Sequence, residues 1–136
     1  MLPLEQVLQD FYAAFAERDR ARRAELLARC MTPEAQIPWP GDGFKGYAEI
    51  SRKIDGFHER WPGTRLVLAS GWNAYANVAR VAGAIVDASG VALFESNSVF
   101  VLAADGRIET VWPFYEALPA LPDDWPVAFS RRWGSG

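Results

Sequence analysis

The chain has 136 residues, half of them hydrophobic and 13% aromatic, and its formal net charge is −3 at pH 7. That length suits one domain with one core, and the acidic balance provides no overall positive field that would attract nucleic acid. Cys30 is the only cysteine, which excludes a disulfide framework and makes the cytoplasm the expected compartment. No apolar run approaches the ~20 residues of a membrane-spanning helix, and a signal peptide is not expected at the N-terminus.

Three helices are predicted in the first half of the chain. The first covers about residues 4 to 18, on the helical spacing of Leu4, Val7, Leu8, Phe11 and Phe15. The second covers about 20 to 30, where arginines alternate with acidic residues, which favours a solvated face over a phosphate site. A Pro- and Gly-rich segment from 31 to 46 is predicted to hold a short strand at most. The third helix covers 47 to 60, with an apolar stripe of Ile50, Ile54, Phe57 and Trp61.

The second half of the chain changes to a period of two residues, which is typical of strands. Four strands are predicted, at 65–75, 78–87, 90–102 and 107–115, and the short turns between them favour an antiparallel meander. Helices first and strands last predict an α+β fold in which three helices pack on a strongly curved antiparallel or mixed sheet.

One domain is predicted for 1–136, with its core at about 4–116 and a C-terminal tail at 117–136. The tail carries apolar residues at a spacing of four, namely Trp125, Phe129 and Trp133. That spacing indicates a short amphipathic segment that docks on the body, either to close the core or as a lid over a pocket mouth.

Several motifs resemble the SnoaL-like branch of the nuclear transport factor 2-like superfamily, which includes polyketide cyclases and ketosteroid isomerase. They are FYAAFAERD in the first helix, GFKGYAEI before the third, and the hairpin ADGRIETVWPFYE, and the resemblance covers about residues 4 to 116. It implies a cone, in which a bent sheet wraps around a helix and leaves an apolar cavity at the wide end. It also implies a homodimer that pairs through the outer face of the sheet.

The resemblance also orients the strands. The implied inward residues are Val81, Gly83, Ile85, Phe94, Ser96, Ser98, Phe100, Val111, Pro113 and Tyr115. The apolar outward residues, Val99, Val101, Trp112 and Phe114, are expected to form the homodimer interface, because such a face should not stay wet on a soluble monomer. Arg80, Glu95 and Asn97 are expected to supply polar contacts across that interface.

The catalytic set of ketosteroid isomerase is not expected in this chain. That chemistry needs a carboxylate base, a tyrosine and a protonated aspartic acid. The resemblance places Ser98 at the acid position, Phe11 at the tyrosine position, and Ile37 or Trp39 at the base position. His58, Tyr115 and Glu109 are left as weak acid–base candidates. No metal site and no cofactor are expected, because ligand spacings, phosphate loops and dinucleotide fingerprints are missing from the sequence.

What remains is a pocket suited to a small hydrophobic or polycyclic molecule. Gly83 is expected to add cavity volume where family members often carry a bulky aromatic side chain. The candidate ligand-binding residues are Phe11, Phe15, Trp39, Ile54, Phe57, His58, Gly83, Phe94, Ser96, Ser98, Phe100 and Tyr115. Three hypotheses stay open: a binding protein, an isomerase, cyclase or hydrolase with atypical acid–base residues, and a structural domain with a filled cone.

Overall fold

The computed structural model describes residues 1–38, 43–116, 118–120 and 122–124. The helices in this part of the chain are α1 (Leu4–Ala16), α2 (Arg20–Cys30) and α3 (Gly46–Arg60). The strands are β1 (Met31–Ile37), β2 (Phe44–Lys45), β3 (Arg65–Tyr75), β4 (Val78–Val86), β5 (Ala92–Leu102) and β6 (Ile108–Phe114). Across these residues, no helix combines the length and apolar character that crossing a membrane would need.

Helix α1 ends two residues earlier than predicted, because a cap begins the next helix. The Asp19 side chain accepts a hydrogen bond from the Ala21 backbone amide at 3.0 Å, which satisfies one free donor at the start of α2. The apolar face of α1 packs on the sheet, where the rings of Phe11 and Phe100 meet edge to face at 5.2 Å. Helix α1 therefore fills the inner side of the sheet.

The six strands form one mixed sheet in the order β2-β1-β6-β5-β4-β3. Only the β1–β6 pair is parallel among these strands. The prediction of a short strand at most in 31–46 was wrong, since β1 has seven residues and β2 pairs with it. The strand was hidden by Pro33, which β1 tolerates because its pairing with β6 is irregular between Met31 and Gln36. The other four strands lie within two residues of their predicted bounds.

The sheet is bent by irregular pairing at three places among β3 to β6. Ser96, Ser98 and Phe100 are buried on its inner face, as the resemblance implies. Trp112 and Phe114 lie on the outer face and are 44% and 57% exposed. The α+β class, with three helices on a curved mixed sheet, is therefore confirmed.

Candidate functional site

A cavity of about 710 Å³ lies between α3 and the sheet. Its described lining is mainly apolar and comes from two helices, four strands and two further residues, one just after α3 and one just after β6. The lining residues are Phe15, Phe44, Arg52, Lys53, Gly56, Phe57, Arg60, Trp61, Leu66, Ile85, Phe94 and Tyr115. A volume of this size falls within the usual range of small-molecule sites, roughly 300 to 1,000 Å³.

Helix α3 supplies the largest share of this lining because of its helical spacing. Arg52, Gly56 and Arg60 follow one another at four-residue steps, and so do Lys53, Phe57 and the capping residue Trp61. Residues three or four apart lie above one another on a helix surface, so these two rows form one face toward the cavity. The buried residues Ile50 and Ile54 lie on another face and pack into the core.

Aromatic rings form the walls of the cavity. The rings of Trp61 and Phe94 meet edge to face, with centroids 5.0 Å apart, and join α3 to β5 at the cavity wall. Phe15 enters from the end of α1, and Phe44 from β2. This arrangement offers flat apolar surfaces on several sides of the cavity.

The charged residues in the described lining are all cationic. Lys53 Nζ lies 4.8 Å from the ring centroid of Phe44, and the Arg60 guanidinium lies 5.8 Å from that of Trp61. Both distances fit cation–π contacts. Burial lowers the pKa of Lys53 from its ordinary value, because the ammonium loses hydration. With Arg52, three cations and no carboxylate line the cavity in the described residues.

Tyr12 lies below the cavity, against the inner faces of β4 and β5. Gly83 and Ser96 come two residues inward from the lining residues Ile85 and Phe94, and they face each other in the β4–β5 register. The Tyr12 hydroxyl oxygen would lie 3.1 Å from a Cβ built on Gly83. Burial, with the nearby Tyr115 adding to it, raises the pKa of Tyr12 far above its usual range. Tyr12 therefore stays a protonated hydrogen-bond donor at neutral pH.

The structure brings four of the predicted binding residues to the cavity, namely Phe15, Phe57, Phe94 and Tyr115. Three others lie in the core and are almost fully buried: Phe11, Ile54 and Phe100. Gly83, Ser96 and Ser98 are buried deeper than the cavity lining, where Tyr12 takes the space above Gly83. Trp39 lies outside the described residues, as do the tail residues Trp125, Phe129 and Trp133.

The three acid–base candidates lie in different places. Tyr115 lines the cavity, and partial burial raises its pKa. His58 is buried but lines a separate polar hollow beside α2. Glu109 is exposed, because the β5–β6 register skips it: Leu102 pairs with Ile108 and Val101 with Thr110. Because of this bulge, Ile108 is buried and Glu109 is exposed. Strict alternation along β6 would have predicted the reverse.

Sequence reasoning missed all three cationic residues of the described lining and several of the others. The missed residues are Phe44, Arg52, Lys53, Gly56, Arg60, Leu66 and Ile85, with Trp61 assigned only to a core stripe. The two four-residue rows on α3 were visible in the sequence and could have identified Arg52, Lys53 and Arg60. Within the described residues, no group of three His, Cys, Asp or Glu side chains is arranged to hold a metal ion.

Solved structures resemble this chain over most of its length. A SnoaL-like family protein from Agrobacterium tumefaciens, described as a candidate isomerase, is 25% identical, with a TM-score of 0.74 over 82% of this chain and 95% of its own. A candidate polyketide cyclase from Sinorhizobium meliloti is 17% identical, with a TM-score of 0.62 over 82% of this chain and 94% of its own. A cystatin-like protein of unknown function from Methylobium petroleophilum is 20% identical, with a TM-score of 0.66 over 93% and 88%.

No protein-family model matches the sequence, and no curated protein sequence matches it significantly. The assignment therefore depends on structural similarity, which at identities below 25% shows the fold alone. The Agrobacterium protein shares both the fold and a quarter of the aligned residues. By its fold, the chain is similar to SnoaL-like and other nuclear transport factor 2-like proteins of known structure.

Proposed function

We propose that this protein binds a small hydrophobic or polycyclic molecule in the cavity between α3 and the sheet. The observation that carries the proposal is the 710 Å³ cavity with aromatic walls and a few polar groups. Ligand sites typically combine mainly apolar walls with a small number of polar groups that fix orientation. Here the polar groups are Lys53, Arg52, Arg60 and Tyr115.

Gly56 offers a direct test, because it lies in the lining and a Cβ built on it meets no atom of the described residues within 4 Å. Gly56→Leu should project a side chain into the cavity without displacing the protein, whereas Gly56→Ala should leave the volume nearly unchanged. Both changes remove a helical glycine, which is worth about 1 kcal/mol of stability. A loss of binding in Gly56→Leu that Gly56→Ala does not show would therefore come from the filled cavity and not from altered stability.

The measurement is a fluorescence titration with phenylnaphthylamine, a neutral apolar probe, together with thermal unfolding of the same samples. We expect saturable binding and a ligand-dependent rise in the melting temperature for the wild type and Gly56→Ala. Gly56→Leu should bind at least about 10-fold more weakly, a loss of roughly 1.4 kcal/mol. Absence of saturable binding, or equal binding by the two Gly56 variants, would refute the proposal and favour a structural domain.

We further propose that the protein pairs as a homodimer through the outer face of the sheet. Trp112 and Phe114 lie on that face, together with Val99, Val101 and the 83% exposed Tyr75. An exposed apolar face of this kind is typical of an interface. A hollow of about 470 Å³ beside Tyr75 and Val99 gives the face a concave region that a second copy could fill.

An enzymatic function is the second candidate, and one observation favours it. Burial raises the pKa of both Tyr12 and Tyr115, and Tyr115 lies close enough to Tyr12 to add to the rise in the Tyr12 pKa. Neutral phenols can donate hydrogen bonds to a developing oxyanion. The Agrobacterium neighbour is itself described as a candidate isomerase. If the chain isomerises a carbonyl compound, Tyr115→Phe should lower turnover while leaving phenylnaphthylamine binding within about two-fold of the wild type, roughly 0.4 kcal/mol.

A further inference from the structure

A second, polar hollow of about 210 Å³ lies beside α2 and is separate from the apolar cavity. Its lining is charged: Arg18, Arg20, Arg23, Asp55, His58 and Glu59. Asp55, His58 and Glu59 leave α3 on a different face from Gly56 and Arg60, which line the apolar cavity. A ligand in this hollow would therefore be independent of one bound in the cavity.

His58 is the unexplained group in this hollow. The residue is only 9% exposed, and neither Nδ1 nor Nε2 has a hydrogen-bond partner among the described residues. The Phe15 backbone approaches the ring and favours its protonated form, but it does not meet hydrogen-bond geometry with either nitrogen. Buried polar atoms in native proteins are normally paired with protein, water or a ligand. The His58 ring can therefore take a further hydrogen-bond partner from the hollow.

The charges around His58 favour a negative partner. Arg23 is held in place, since it donates to the Glu17 carbonyl oxygen at 2.8 Å and to Asp55 Oδ1 at 2.8 Å. Arg20 Nε donates to the second oxygen of Asp55 at 3.1 Å. The lining of the hollow holds three arginines and two carboxylates, those of Asp55 and Glu59, so its net charge is +1. Asp55 is already paired with Arg20 and Arg23.

Arg18 is the arginine of the hollow whose charge no described carboxylate pairs with. It lies in the turn between α1 and α2, is exposed, and makes no ion pair in the described residues. Its guanidinium and that of Arg20 present planar, multi-donor surfaces of the kind that recognise oxyanions. Glu59 is the acidic residue that opposes such binding, and it is exposed at the rim.

We propose that this hollow binds a small oxyanion such as phosphate, held by Arg18 and Arg20 at its mouth and by His58 at its buried end. The neutral imidazole donates one N–H to the anion, and protonation at lower pH would add a charge to that contact. In the free protein, burial is the main cause that lowers the pKa of His58, followed by Arg18 and Arg23. A bound anion opposes the effect of the two arginines and attracts the imidazolium directly, so it favours the protonated ring.

His58 is the only histidine in the chain, so its ring signals are assigned without ambiguity in a proton NMR titration. The experiment measures the pKa of His58 in the full chain with potassium phosphate, and with potassium chloride at the same ionic strength. We expect phosphate to raise the pKa by about one unit relative to chloride. By linkage, phosphate should then bind about 10-fold more tightly below the pKa of His58 than above it.

Arg18→Gln should reduce the phosphate-dependent shift to less than about half, because it removes a cation within a few ångströms of the anion. Arg22→Gln is the matched control, since Arg22 is an exposed arginine of α2 that pairs with Glu25 and does not line the hollow. An identical pKa in phosphate and chloride would overturn the proposal and leave water as the partner of His58. An equal loss in the two variants would also overturn it, because binding would then be a diffuse charge effect.

Discussion

Tyr12 and Gly83 lie against each other on the inner side of the sheet, where the Tyr12 hydroxyl oxygen would be 3.1 Å from a Cβ of residue 83. The ring carbon Cε1 of the same tyrosine and Ser96 Oγ would each be 3.2 Å from that Cβ. A glycine at this position therefore makes room for a side chain from α1, and the cavity opens further out along the strand.

Gly83→Ala should destabilise the protein by about 1 kcal/mol, because overpacking against the buried Tyr12 outweighs the gain from removing a strand glycine. Gly71→Ala is the matched control, since a Cβ there meets no atom within 4 Å in the part of the chain that the structure describes. It should be neutral or stabilising in urea unfolding. In a Tyr12→Phe background the cost of Gly83→Ala should shrink, as expected for residues in contact. A stabilising Gly83→Ala would show that the site was underfilled.

Ala76→Gly should stabilise the protein by roughly 0.5 kcal/mol. Ala76 has a φ of 49° in the turn between β3 and β4, a left-handed conformation that costs an alanine about 1 to 2 kcal/mol. The gain is partly offset because glycine makes the unfolded chain more flexible. Ala74→Gly, in the neighbouring strand, should instead lose about 0.5 to 1 kcal/mol. Urea midpoints of both variants check the prediction, and equal losses at the two positions would contradict it.

Stability should fall in acid partly through Asp55. A hydrogen bond from Arg23 is the main cause that lowers the pKa of Asp55, so the folded state binds its proton less readily than the unfolded chain does. The contribution of Asp55 is then present above its ordinary pKa of about 3.9 and is lost as the pH falls through the lowered value.

Asp55→Asn should therefore be less stable than the wild type at neutral pH, with a difference that narrows toward about pH 3. Asp87 and Asp105 also have lowered pKa values, chiefly through hydrogen bonds from Ser89 and from the Arg107 backbone, so the variant keeps part of the acid slope. Glu25→Gln is the control, because Glu25 forms an exposed ion pair with Arg22. Urea unfolding across this pH range is the measurement, and a difference that does not change with pH would exclude this role of Asp55.

The cationic lining should make the cavity prefer acidic ligands. Lys53→Met should weaken binding of anilinonaphthalene sulfonate roughly five-fold, about 1 kcal/mol, and leave its neutral relative phenylnaphthylamine within two-fold. Lys45→Met is the matched control, since Lys45 pairs with Glu34 outside the cavity. Equal losses for the two probes would show that the stem of Lys53 acts by packing and that its charge does not select the ligand.

The proposed dimer should depend on the apolar outer face. Phe114→Glu places a charge on that face, two residues from Trp112 along β6, and should convert a dimer to a monomer in analytical ultracentrifugation. Val91→Glu is the control, because Val91 is also exposed and apolar but lies at the turn between β4 and β5. A wild-type monomer at micromolar concentration would refute the dimer, and so would a Phe114→Glu variant that stays dimeric.

Local patterns in the sequence determined most of the fold. Apolar residues recur every three or four positions in α1 and α3 and alternate in β4 and β5, because one face of each element is buried. These periods are visible in short segments of the sequence. The burial of Ser96 and Ser98 and the exposure of Trp112 followed from alternation once one face was taken as inward. Four of the cavity residues, including Phe57 and Phe94, were predicted in the same way.

The tertiary structure decided what depends on contacts between distant segments. The parallel pairing of β1 with β6 joins segments about 75 residues apart, and no local period predicts it. The bulge at Glu109 reverses the alternation of β6, and a bulge follows from how neighbouring strands fit together. The Tyr12 side chain occupies the space above Gly83, because α1 packs against the sheet at that point. The cationic lining and the hollow around His58 likewise exist only because α3 presents two faces to two different neighbours.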